Sequence, residues 1–142
     1  MYREAASDDR SIIIVALGGA VVGLDRRSGR ERWRNELSGG GIGVVDVAIT
    51  HGRVFVTASS SVLVCLDYAN GKTVWSAKTQ GSGRGTILVD DGQVIVAKNG
   101  YVDCFDFSGN RLWSEALSGM GIGRAAVGLP GNVRQADDIG GQ

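Results

Sequence analysis

One string, repeated three times, constrains this chain of 142 residues more than any other feature. Leu24-Asp25-Arg26-Arg27-Ser28-Gly29 leads to Trp33, and Leu66-Asp67-Tyr68-Ala69-Asn70-Gly71 leads to Trp75. Phe105-Asp106-Phe107-Ser108-Gly109 leads to Trp113. Each Trp follows its Asp by eight, eight and seven residues. Six residues beyond each Trp a G-x-G-x-G series begins, at Gly39, Gly81 and Gly119. Two series running in step mark internal repeats of about 40 residues.

Each unit reads as four short strands. The first is Ile12 to Leu17, Val54 to Ala58 and Val94 to Ala97; the second is Ala20 to Leu24, Val62 to Leu66 and Tyr101 to Phe105. These runs are β-branched and continuously apolar, as strands covered on both faces should be. The third (Glu31 to Glu36, Thr73 to Lys78, Arg111 to Ala116) is more polar, and the fourth is Val44 to Ile49, Thr86 to Val89 and Ala125 to Leu129. Ser28-Gly29, Asn70-Gly71, Ser108-Gly109, His51-Gly52 and Asp91-Gly92 supply the turns. This use explains 23 glycines against a single proline, where average usage gives roughly ten glycines. Four antiparallel strands per repeat of this length is a propeller blade pattern. The predicted fold is an all-β propeller with three four-stranded blades (12–52, 53–92 and 93–131), an N-terminal arm (1–11) and a polar C-terminal tail (132–142).

The L-D-x-x-x-G-x-x-x-W string resembles the repeat of PQQ-binding-like β-propellers, the quinoprotein alcohol dehydrogenase-like family, over residues 12 to about 130. The resemblance implies that Trp33, Trp75 and Trp113 pack between blades and dock on the next repeat, with Gly29, Gly71 and Gly109 in the docking turns. The repeat itself gives a matching physical reason: one large side chain per blade fills the wedge between neighbouring sheets. Truncating one should cost about 3–5 kcal/mol. Asp25, Asp67 and Asp106 read as turn caps, with metal ligation as the alternative. The family includes quinone-dependent dehydrogenases, outer-membrane assembly lipoproteins and sensor domains, so fold alone names no activity. A dehydrogenase of the family would need about eight blades, a calcium site, a catalytic Asp and adjacent cysteines. Cys65 and Cys104 are far apart and each lies in an apolar run, which predicts buried free thiols. The expectation is therefore no enzyme, no cofactor and no metal, and His51 reads as a turn residue.

Fifteen basic and fifteen acidic residues balance, which argues against a dedicated nucleic-acid binder. No apolar run is long enough for a membrane-spanning helix. The first ten residues carry Glu4, Asp8 and Asp9 and do not read as a secretory signal, so the expected location is cytoplasmic.

Two departures from the repeat stand out. Asp103 replaces Val22 and Val64 within an apolar strand, which requires either a cationic partner or exposure to a central channel. Arg26 and Arg27 lead a cluster with Arg30, Arg32 and Arg34, either a solvated turn or a partner contact. Propellers close with about four to eight blades, so three leave two apolar faces open. Head-to-tail pairing of two copies closes six blades. The competing expectation to self-closure is that the chain is a fragment of a longer propeller or pairs with another propeller-forming chain. The function expected is a non-catalytic scaffold: a homodimer that engages an unidentified protein. The alternative is a small-ligand or carbohydrate-binding propeller; a quinone-dependent oxidoreductase comes third.

Overall fold

The computed structural model describes residues 9–37, 46–120 and 123–136, which form strands and turns and contain no helix. Thirteen strands follow one another: β1 (Ile12–Leu17), β2 (Ala20–Asp25), β3 (Glu31–Asn35), β4 (Asp46–Thr50), β5 (Arg53–Thr57), β6 (Val62–Asp67) and β7 (Thr73–Lys78). Then come β8 (Gly85–Asp90), β9 (Gln93–Lys98), β10 (Tyr101–Asp106), β11 (Arg111–Ala116), β12 (Val127–Leu129) and β13 (Asn132–Arg134). They form antiparallel meanders in chain order: β1-β2-β3, β4-β5-β6-β7, β8-β9-β10-β11 and β12-β13.

The strands lie where the sequence predicts them, but their grouping differs. Each expected fourth strand pairs with the first strand of the following unit: β4 with β5, β8 with β9 and β12 with β13. The cause is the length of the connections. His51-Gly52 and Asp91-Gly92 have positive φ at both residues, the geometry of a two-residue hairpin turn, so the strands they join must be neighbours. The expected blade limits at 52/53 and 92/93 therefore fall inside hairpins. Instead of three four-stranded blades, the described residues hold two four-stranded sheets between a three-stranded and a two-stranded one. The expected tail at 132 begins with a strand, β13.

Packing between sheets makes two cores from one alternating pattern. Val54, Val56, Val64 and Leu66 face the first sheet and meet Ile12, Val21 and Trp33. Phe55, Leu63 and Cys65, the residues between them, face the third sheet and meet Ile87, Val94, Val96 and Phe105. β5 and β6 are thus covered on both faces, which is why they read as unbroken apolar runs. β1 is not: Ile13, Val15 and Leu17 alternate with the buried side and are exposed, contrary to the expectation for that strand.

One irregularity recurs at the same place in all three long sheets. The pairing slips between Gly23 and Leu24, between Cys65 and Leu66, and between Cys104 and Phe105. Arg32, Val74 and Leu112, each just before a Trp, are the extra residues of these bulges. A bulge re-aims the side chain beside it, and here that side chain is the indole. The residue opposite each Trp is small, Gly23, Cys65 or Cys104. A Cβ on Gly23 would stand 2.6 Å from the Trp33 ring. The two cysteines thus belong to the repeat as small apolar partners of an indole. Both thiols are buried and free.

Gly71 lies under the Trp33 ring so closely that a Cβ would clash with it, and its φ is 75°. Gly71→Ala should cost about 2–4 kcal/mol, combining a positive-φ cost with overpacking. Gly92 has a φ of 78° but open space around it, and Gly92→Ala should cost about 1 kcal/mol. Urea denaturation of the two variants tests this; equal losses would contradict the Trp33 contact.

Candidate functional site

The three Asp residues of the repeat build the turns that receive the indoles. Asp25 Oδ1 accepts the amides of Arg27 and Ser28, each at 2.9 Å. Asp67 Oδ1 accepts those of Ala69 and Asn70, and Asp106 Oδ1 those of Ser108 and Asn110. Amides from Ser28 and then Arg27 hold the Asp25 carboxyl below its ordinary range, and Asn110 does the same for Asp106. Each carboxylate is committed to its own turn, the arrangement of a cap. Among the described residues no three His, Cys, Asp or Glu side chains gather as a metal-holding group.

Onto these turns the indoles dock. Trp33 Nε1 donates to the Tyr68 carbonyl at 2.9 Å, with its ring over Gly71. Trp75 Nε1 donates to the Phe107 carbonyl at 2.8 Å, where a Cβ on Gly109 would stand 2.7 Å from the ring. Tyr68 and Phe107 occupy the same place, one residue after the turn's Asp. Tyr68 adds a second clamp, its hydroxyl accepting the Ile12 amide and donating to the Ile12 carbonyl. Two of the three sequence-predicted docks are thus assembled within the chain. Trp113 is 46 % exposed where Trp33 is 8 %, and Gly29 has nothing within 4 Å of its Cβ position.

Asp103 is neither a surface contact nor a channel residue, because it lies buried at 1 % exposure between the second and third sheets. Its Oδ2 accepts the Gln80 amide at 2.9 Å, and Oδ1 stands 3.5 Å from Arg111 Nε. Of the two outcomes left open by the sequence, the cationic partner is the one present. Arg111 also lies over the Phe105 ring and donates to the Lys78 carbonyl. Lys98, which sequence reasoning passed over, completes the cluster. Its ammonium is buried and donates to the carbonyls of Ala58 at 2.8 Å and Ser60 at 2.7 Å. Burial pulls this group down to about 8, with the charge of Asp103 opposing. A signal existed: Lys98 pairs with Tyr101 across its turn as Leu17 pairs with Ala20, so a lysine holds the place of a leucine.

The second glycine series packs against this cluster. Residues 81–85 carry the chain from the second sheet to the third. A Cβ on Gly81 would strike the Lys98 backbone, and one on Gly83 would stand 2.5 Å from the Asn99 side chain. Close approach is therefore what these glycines supply. The first series lies outside the described residues; of the third, Gly119 and Gly123 are described, and Gly123 donates to Asn99 Oδ1.

On the inner strands a groove of about 830 Å³ runs between β4, β8 and the β12–β13 turn. Of its lining residues, Arg134 donates Nη2 to Asp46 at 2.8 Å and Ile87 donates its amide to the same carboxylate at 2.9 Å. Arg26 and Arg27 lie exposed on the β2–β3 turn, where Arg26 Nη1 donates to the Arg10 carbonyl. His51 sits in the β4–β5 turn with its ring edge-on to Phe107 at 5.3 Å. Burial raises the Cys65 thiol to about 11 and raises that of Cys104 as well, so neither is poised as a nucleophile.

Successive antiparallel meanders, the first locked to the second and the second to the third by one indole each, define a PQQ-type β-propeller repeat protein. Residues 17–133 match the family described as outer membrane protein assembly factor BamB, and the chain belongs to that family. Among solved structures, BamB from Moraxella catarrhalis is similar with a TM-score of 0.71 at 23% identity, over 91% of this chain and 44% of that one. Quinohemoprotein alcohol dehydrogenase from Comamonas testosteroni gives 0.59 at 27% identity, over 75% of this chain and 19% of that one. The computationally designed Ika8 protein gives 0.68 at 20% identity, over 87% of this chain and 39% of that one. This chain thus spans less than half the length of each. No curated protein matches it by sequence.

Lys98 supplies a pH test. Its folded value of about 8 lies below the ordinary lysine value, so between about pH 8 and pH 10.5 the unfolded chain holds a proton that the folded chain has lost. Stability from this group rises with pH across that window, by about 2–3 kcal/mol. Denaturation of wild type and Lys98→Met at pH 8 and pH 10 should show the difference widening in favour of wild type. A difference independent of pH would contradict a buried, displaced ammonium.

Proposed function

We propose that this chain is a non-catalytic propeller scaffold that pairs with a second copy of itself and presents the completed ring to another protein. One observation carries the reading: the described sheets are incomplete at both ends, with apolar side chains exposed there. Ile13, Val15 and Leu17 are exposed on the three-stranded sheet, and Leu112, Trp113, Leu117 and Met120 on and after β11. Apolar surface left at the ends of a repeat array marks a place of association. Two copies supply six blades, within the range in which propellers close.

A protein-handling role agrees with the family's description as an outer membrane protein assembly factor. The non-catalytic part is supported by the engagement of the acidic groups: Asp25, Asp67 and Asp106 cap turns, and Asp46 and Asp103 meet arginines. A cytoplasmic location is part of the proposal, and the two free thiols are compatible with it. Cell fractionation tests the location separately: recovery from the periplasm would overturn it and leave the scaffold reading standing.

Light scattering tests the assembly. The expected mass is twice the 14.8 kDa of the chain. A single-chain mass at every concentration would overturn the dimer.

A further inference from the structure

The two ends of the sheet array carry the two halves of one dock. Inside the chain the dock has fixed parts: an indole aimed by a bulge, a carbonyl one residue after an Asp, and a glycine with positive φ beneath the ring. Trp33 with Tyr68 and Gly71 is one example, and Trp75 with Phe107 and Gly109 is the other. Trp113 is the third indole. It has the same bulge, stands opposite Cys104 as Trp75 stands opposite Cys65, and is exposed. The β2–β3 turn is the third receptor. Its Asp25 makes the same amide caps as Asp67, and Gly29 has a φ of 76° against 75° at Gly71. The turn is therefore already in the receiving conformation, with no ring over its glycine.

The strands repeat the complementarity. β1 occupies the place that β5 and β9 hold in the full sheets, each of which has an inner strand, β4 or β8, on its free side. β12 is the strand that follows the third glycine series as β8 follows the second, which makes it an inner strand. Its companion β13 is three residues long, against six for β1. Ile13 and Val15 hold the positions of Val54 and Val56, which face the preceding sheet in the core between the first two sheets.

We propose that two copies close head to tail through this dock: Trp113 of each seats on Gly29 of the other and donates to the carbonyl of Arg26, while β12 pairs with the other copy's β1 in the place of β13. This rests on the self-association proposed above and names its contact. The occupant is a second copy because the interface continues one that the chain itself makes twice. It also uses each incomplete end once, so that one inner strand and three outer strands give a fourth-order sheet like its neighbours.

The test is the dimer dissociation constant of the full chain, by sedimentation or light scattering, for wild type, Trp113→Ala, Gly29→Leu and Gly92→Leu. Trp113 is exposed in the single chain, so its truncation leaves the fold in place, as circular dichroism would verify. Trp113→Ala and Gly29→Leu should each weaken the dimer roughly a hundredfold, the scale of a buried aromatic anchor. Gly92→Leu, in a turn of similar φ that receives no indole, should leave it unchanged. A concentration-dependent blue shift of the indole emission should accompany dimer formation and vanish in Trp113→Phe. A dimer that survives Trp113→Ala undiminished would overturn this contact while leaving self-association intact. A wild-type chain that stays single at all concentrations would overturn both.

Discussion

An indole lying across the turn of the next sheet joins separate meanders into one body. Hydrogen bonds hold each sheet together internally, yet none of the ladders crosses from one sheet to the next. What crosses is side-chain packing, one Trp–carbonyl bond at each of the first two junctions, and further side-chain bonds such as the Tyr68 hydroxyl on Ile12. Much of the repeat serves that one contact. The bulge sets the indole's direction, the small residue opposite leaves it space, the Asp fixes the receiving turn and the glycine lets the ring approach. Burial of a large aromatic with its polar handle satisfied combines area and direction in one residue.

The junction between the second and third sheets has a further constraint. The core of the first junction is apolar apart from the Trp33 and Tyr68 hydrogen bonds, whereas the second buries Lys98 and Asp103, with Arg111 at its exposed edge. A buried cation and a buried carboxylate are costly unless paired or hydrogen-bonded. Here the carbonyls of Ala58 and Ser60 accept from Lys98 and the amide of Gln80 donates to Asp103 Oδ2, all supplied by the second sheet's loops, while Asp103 Oδ1 faces the Arg111 charge at 3.5 Å.

Strand positions, turn chemistry and the docking role of Trp33 and Trp75 were legible because each depends on local spacing repeated in phase. The grouping of strands into sheets was less so. The unit of repetition in sequence and the unit of hydrogen bonding differ by one strand, and the deciding signal was connection length: two residues at His51-Gly52, against a longer glycine-bearing loop between sheets. Asp103 was recognisable as a departure from the repeat, but its partner was not, since Arg111 sits across a bulge where the register shifts by one. Lys98 was missed because a lysine at a strand end usually reaches water, and the glycines packed against it show its burial only once the strands are placed. Cys65 and Cys104 were seen as apolar thiols, while their common place opposite an indole needed the strand register.

If the docks carry the coupling between sheets, the indole protons that make them must be shielded from solvent. Hydrogen exchange at the Trp33 and Trp75 Nε1–H groups, followed by nitrogen-resolved NMR, measures this directly. The account predicts that both exchange slowly, through the same opening that frees the amides of β5 and β6. Exchange of either indole at the rate of a free, solvated one would contradict it.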